Sequence, residues 1–232
     1  MKVLFAGPSL FGQDVDATGL EVRPPARQGD LHRAVRDGAD ALGLIDGVFG
    51  FVPSVWHKEI LFALKEGVRV LGGASLGALR AAECVGFGME PVGEIARSYV
   101  TGARVEDADV CLAHCPAEMD FMPLSEPLVD VEASVANLVV ERRIDAAKAR
   151  QWLEAARDIY FADRTVEAML EHAGLPARLV ADYRACRIGV KARDALELVE
   201  RLRSLPDGRG AAPEGWSFNA SDPWRAYLST LA

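Results

Sequence analysis

Short apolar runs that stop at glycine-containing turns, each followed by a helix-length segment, constrain this chain more than any other feature. Lys2-Val3-Leu4-Phe5-Ala6 halts at Gly7-Pro8-Ser9, Ala41-Leu42-Gly43-Leu44-Ile45 at Asp46-Gly47, and Val68-Arg69-Val70-Leu71-Gly72 at Gly73-Ala74-Ser75. Runs of this length with little polar alternation are strands covered on both faces. Helices are predicted from Asp30, as N-cap, to Gly38, from Pro53-Ser54 to Glu66, from Ser75 to about Val85 with Gly86 closing it, and over about 91–101. Residues 20–23 add an edge strand stopped by Pro24-Pro25, and 109–113 read as a further strand ending at His114-Cys115-Pro116. Strands and helices in this alternation specify an α/β fold, an open parallel sheet flanked by helices (Rossmann-like) with right-handed crossovers.

After Pro127 only helical periodicity is visible, with Asp145, Thr165 and Gly174 as caps and stops. The chain therefore divides into an α/β core over 1–127, an all-helical appendage over 128–204, and a connector with an aromatic tail over 205–232. Leu205–Gly215 is rich in glycine and proline, and Trp216, Phe218, Trp224 and Tyr227 follow it. So many aromatics in a short tail predict that it docks onto the body of the protein.

A chain of 232 residues, half apolar and 26% charged, is long enough to bury a sizeable core and excludes a disordered tail or a disulfide miniprotein. The formal charge of −8 excludes nucleic acid as a main partner by charge. No run of roughly 18 uncharged apolar residues is present, so no membrane span is expected. The opening Met1–Pro8 is too short an apolar run for a signal peptide, which predicts a cytoplasmic, reduced protein. Cys84, Cys111, Cys115 and Cys186 then read as buried thiols. Cys111 and Cys115, with His114 between them and Asp120 nearby, lack a second ligand pair of matching spacing, so no metal is expected.

In an open parallel sheet, ligands bind beyond the carboxyl ends of the strands. Those ends carry Ser9, Asp46, Ser75 and His114. Gly73-Ala74-Ser75-Leu76-Gly77 matches G-x-S-x-G in a strand–turn–helix context, which makes Ser75 a nucleophile, an oxyanion-site residue or simply a helix cap. A hydrolase triad is not legible: the downstream histidines are His114 and His172, and neither follows an acid at a persuasive spacing. At about 100° per residue, His57 falls in the middle of the apolar face of its helix, with Glu59 opposite. Arg80 and Glu83 are three apart and can pair, or Arg80 can hold an anion. Ser125-Glu126-Pro127 forms a turn ahead of the appended helices.

Several of these segments occur together in one order. Gly7-Pro8-Ser9, the 24–30 run, Ile45-Asp46-Gly47-Val48-Phe49, Val55-Trp56-His57-Lys58-Glu59-Ile60, the Gly73–Glu83 segment, Gly88-Met89 and Pro123–Val129 resemble the TfuA-like family over roughly residues 3–140. The resemblance implies a protein that works beside YcaO enzymes, which use ATP to activate a peptide-backbone amide for conversion to a thioamide. It implies that this chain supplies the sulfur, by releasing sulfide from a sulfur-carrier protein with a thiocarboxylated glycine-rich C-terminus. A non-catalytic module that docks on YcaO and activates it is the competing expectation, and a stand-alone serine hydrolase a third. The resemblance places Asp46, His57, Lys58, Glu59, Ser75, Arg80, Glu83, Ser125 and Glu126 in the motifs of the site. Sulfide release is an acyl transfer, for which Ser75, His57 and Asp46 are the expected catalytic group. N–H groups after Ser75 (Leu76) and near Ser9 are the expected oxyanion donors, and Lys58 or Arg80 would hold the anion. No cofactor is expected, and no G-x-x-x-x-G-K loop is present, so ATP use belongs to the partner. The oligomeric state stays open, a homo-oligomer included.

Overall fold

The computed structural model describes residues 1–48, 50 and 52–230; Phe49, at the end of the 45–49 motif, lies outside the described residues. The α/β part runs β1 (Lys2–Phe5), β2 (Leu20–Arg23), α1 (Asp30–Arg36), β3 (Ala41–Leu44), α2 (His57–Lys65), β4 (Arg69–Gly73), α3 (Leu76–Cys84), β5 (Glu90–Val92) and α4 (Gly93–Val100). Then come α5 (Leu128–Val140), α6 (Ala146–Asp158), α7 (Val166–His172), α8 (Leu179–Ala185), α9 (Val190–Ser204) and α10 (Asp222–Thr230). The five strands form one all-parallel sheet in the order β2-β1-β3-β4-β5.

Strand periodicity divides the core. Val3, Phe5, Leu42, Leu44 and Val70 face the layer of α1, α2 and α3, where Leu31, Ile60 and Ala78 are fully buried. Their neighbours Leu4, Ala41 and Leu71 face α9, which contributes Ala195, Leu198, Val199 and Leu202. Each fully buried leucine contributes about 1.5–3 kcal/mol relative to an exposed one. Gly43 lets α9 approach, since a Cβ there would lie 2.8 Å from Leu198 and Leu202. Helices α5 to α8 enclose a separate apolar cluster around Trp152 and Tyr183, whose rings stack at 5.6 Å. No helix of the described residues is long and apolar enough to cross a membrane.

Some boundaries differ from the sequence expectations. Residues 109–113 are not a strand: they follow a 3-10 turn at Asp107–Asp109, and only His114 forms a bridge, antiparallel to Pro123. The place beside β4 is taken by Glu90–Val92, a three-residue strand containing Pro91, too short to show periodicity and read as the start of a helix. The N-cap of α1 is Gly29, at φ 98°, rather than Asp30. Helix α2 starts at His57 and not at Ser54, because the Glu59 carboxylate accepts the N–H of Trp56 at 3.2 Å and fixes the first turn there.

The aromatic tail does dock on the body. Arg209 donates to the carbonyls of Val35 and Ala39, and Trp216 to that of Phe87. Trp224, 2% exposed, packs against His32, Trp56, Phe62, Phe218 and Tyr227 with ring centroids 5.5–5.9 Å away. Trp224→Ala is expected to cost about 3–5 kcal/mol, read as a lower urea midpoint.

The topology fixes where a ligand can bind. From β1 the chain moves to β2 on one side, and from β3 to β4 on the other. The crevice between these diverging connections, beyond the carboxyl ends of β1 and β3, is the switch point of the sheet.

Candidate active site

At the switch point lies a cleft of about 330 Å³. Pro8, Asp46, Gly47, Ser75, His114 and Lys191 line it, and Tyr160 and Phe161, from the 3-10 turn after α6, border it. Asp46 ties the two strand ends together. Its Oδ2 accepts the N–H of Gly7 at 2.9 Å and of Ser9 at 3.1 Å, and its Oδ1 accepts the Ser9 hydroxyl at 2.7 Å. A carboxylate with three donors inside a buried corner is held in place, and Ser9 is engaged through both its N–H and its hydroxyl. That leaves neither as a free donor for an oxyanion.

Ser75 enters the cleft from a tight turn. The N–H of Ser75 donates to Gly73 O at 2.7 Å across Ala74, which adopts φ 61°. A positive φ at a residue with a Cβ is strained. In a nucleophile elbow the strained residue is the serine itself. Here Ser75 has φ −123°, and the strain sits one residue earlier. The Ser75 hydroxyl makes no capping bond to α3. Among the described residues, the N–H groups of Leu76 and of the cleft residue Gly47 have no acceptor, whereas that of Gly77 is taken by Ile45 O.

His114 occupies the cleft although no strand carries it there. Its Nδ1 lies 2.8 Å from the carbonyl of Cys115. A carbonyl only accepts, so Nδ1 carries the proton and Nε2 of the neutral ring keeps a lone pair. The ring packs edge-on against Phe121 at 5.8 Å. Ser125 braces this segment, its hydroxyl accepting the N–H of Ala113 at 2.8 Å. Glu126 stands further back, paired with Arg187 at 3.1 Å.

The remaining motif residues form a second group, outside the cleft lining. His57 Nε2 lies 2.8 Å from Glu83, which also accepts from Arg80 at 2.7 Å; Arg80 further donates to Val55 O. Burial raises the Glu83 carboxyl, but the bonds from His57 and Arg80 outweigh it and hold the group below its ordinary value. His57 is half-exposed rather than central to the apolar face, and Glu59 is fully buried. The buried arc of α2 is rotated because Glu59 caps two helices: it accepts Gly29 and His32 of the α1 N-terminus as well as Trp56. Burial pushes its carboxyl up, against the pull of those three N–H groups. Glu59→Gln puts an NH2 group against N–H donors, and is expected to cost about 1–3 kcal/mol, checked by denaturant unfolding. Lys58 is covered by the tail, donating to Asn219 O and lying 5.2 Å over the Phe218 ring.

Lys191, from the first turn of α9, carries no counterpart in the sequence expectations. Its signal is that it interrupts the apolar stripe of α9, four residues before Ala195 and seven before Leu198. Tyr160 and Phe161 gave no such signal, being part of a short irregular link. The four cysteines are buried and unbridged. Burial pushes the thiol of Cys84 up to about 12 and that of Cys111 up to about 11. Neither is a thiolate at neutral pH, and Cys84 and Cys111 are expected to resist iodoacetamide at pH 8 until the protein is unfolded, read by peptide mapping. Among the described residues, no group of three or more His, Cys, Asp or Glu is placed to hold a metal ion.

A family model described as TfuA-like protein matches residues 46–165, just over half of the chain. The chain belongs to the TfuA-like family. No curated protein matches it significantly. The TfuA-like match spans Asp46, Ser75, His114 and the Tyr160–Phe161 border of the cleft, together with the His57–Arg80–Glu83 group. Lys191 and Ser9 lie outside it.

Proposed function

We propose that this TfuA-like protein releases hydrosulfide from a sulfur-carrier protein ending in a thiocarboxylated glycine-rich tail, and supplies it for YcaO-dependent thioamidation of a peptide backbone. The observation that carries this reading is the switch-point cleft, which brings together the Ser75 hydroxyl, the His114 imidazole with an open Nε2 and the unengaged N–H of Gly47, with the unengaged N–H of Leu76 next in the chain to Ser75. Its volume of about 330 Å³ is at the small end for ligand clefts, which suits a narrow glycine tail.

Water adds to the thiocarboxyl carbon and gives a proton to Nε2 of His114. The oxyanion is received by the N–H groups of Gly47 and Leu76. His114 returns that proton to the sulfur as the C–S bond breaks, hydrosulfide leaves, and the carrier departs as a carboxylic acid that ionises in solvent. Water supplies the oxygen and the proton, so no oxidant or reductant enters. Ser75 orients the water or makes the first attack through Oγ; in the second case an acyl-serine forms and is hydrolysed. Asp46 holds the cleft floor in both. The test is sulfide release from thiocarboxylated carrier with YcaO absent. Wild type is expected to release it and Ser75→Ala to lose most of that activity. A folded wild type that releases none, with or without YcaO, rejects the reading.

One observation favours the docking alternative: the half-exposed His57–Glu83 pair, held by the largely covered Arg80, sits outside the cleft lining and open to a partner. That reading expects thioamidation with added free sulfide to survive changes at Ser75 and His114 and to fail on Arg80→Ala.

A further inference from the structure

The cleft has a neighbour. A second cleft, of about 290 Å³, is lined by Ser9, Glu126, Asp130 and Arg187, and it shares Pro8, Leu112 and Lys191 with the first. Lys191 therefore stands in the wall between them. Its side chain is 3% exposed, yet its ammonium has one acceptor among the described residues, Val110 O at 2.7 Å. An ammonium carries three donors. Two are thus unmatched in a buried setting, which is costly unless an anion or water completes them. The nearby carboxylates are committed elsewhere: Asp46 to Gly7 and Ser9, and Asp130 to the backbone N–H of Lys191 and to Arg187.

We infer that Lys191 is the anion-binding residue of the switch-point cleft, taking the charged C-terminal group of an extended peptide tail through its two unmatched N–H donors. This rests on the proposed reaction for the identity of the tail, and it answers a difficulty of that reaction. A thiocarboxylate is already negative, and attack by water adds negative charge to it. An ammonium against the terminal group offsets both; burial of Lys191 lowers its pKa, and the negative charges of Asp46 and Asp130 oppose that. Lys58 and Arg80 are unsuited to this, the first lying under the tail and the second bound to Val55 and Glu83.

The test is a calorimetric titration of the full chain with N-acetyl-triglycine and with its C-terminal amide. Wild type is expected to bind the carboxylate about tenfold or more tightly than the amide. Lys191→Met, nearly isosteric, is expected to erase that preference, while Lys148→Met on α6 keeps it. Should Lys191→Met fail to fold, Lys191→Gln retains a donor for Val110 O and is expected to give the same loss. A wild type without the preference, or a preference unchanged in the folded Lys191 variant, overturns the inference. A Lys191-dependent preference in a protein that releases no sulfide upholds the anion site and rejects the hydrolysis. Sulfide release without any such preference does the reverse.

Discussion

His114→Gln is expected to lower hydrosulfide release by about 10²–10⁴-fold, the span that a positioned general base contributes. The geometry makes the loss specific. Nδ1 is committed to the carbonyl of Cys115, so the only basic atom of the ring is Nε2. Glutamine keeps a donor for that carbonyl but offers no comparable base. The fold should be unaffected, since His114 lies in a non-strand segment fixed by Ser125 and by Phe121. The comparison variant is His57→Gln, which breaks the contact with Glu83 outside the cleft and should leave release in place. Initial rates of sulfide formation for the two variants check this. Equal losses in both would move the chemistry away from the cleft.

Gly77→Ala is expected to abolish the native fold or to cost about 4–5 kcal/mol, the exceptional end for a single substitution. Helix propensity alone argues the opposite, since alanine in a helix gains roughly 1 kcal/mol over glycine. The contact decides the sign. A Cβ on Gly77 would lie 1.7 Å from the carbonyl oxygen of Leu44 and 2.6 Å from its carbon. Neither the strand end nor the helix start is free to move, because the N–H of Gly77 is bound to Ile45 O at 3.1 Å. Displacing α3 would also carry Ser75 and Leu76 away from the cleft. Circular dichroism and a urea titration of the variant read the effect. A variant as stable as wild type would contradict the close approach of α3 to β3.

The α/β fold was legible because its strands are apolar runs cut off by glycine, and such runs leave few alternatives to a covered parallel sheet. The short strand Glu90–Val92 was not legible, since three residues carry no period and one is proline. The false strand at 109–113 has the opposite cause. Val110, Cys111 and Leu112 have strand-like composition, but Val110 packs into the core of the α/β part, Cys111 is buried and Leu112 lines both clefts, and none of them joins the sheet. At the site, Asp46 and Ser75 could be read from their places after β3 and β4. The separation of His57 from them could not. It depends on the rotation of α2 set by Glu59, a buried carboxylate that a helical wheel assigns to solvent. Lys191 was hidden because it arrives from α9, some 120 residues along the chain from Ser75 by the sequence numbering.

In the proposed reaction the carrier tail ends in the switch-point cleft. The most direct measurement is covalent capture with a carrier protein whose terminal group is replaced by a vinyl sulfone, followed by peptide mapping of the adduct. Attachment is expected at His114, Ser75 or Lys191, suppressed by excess unmodified carrier. Attachment at His57 or Lys58 instead, or elsewhere on the surface, would contradict it.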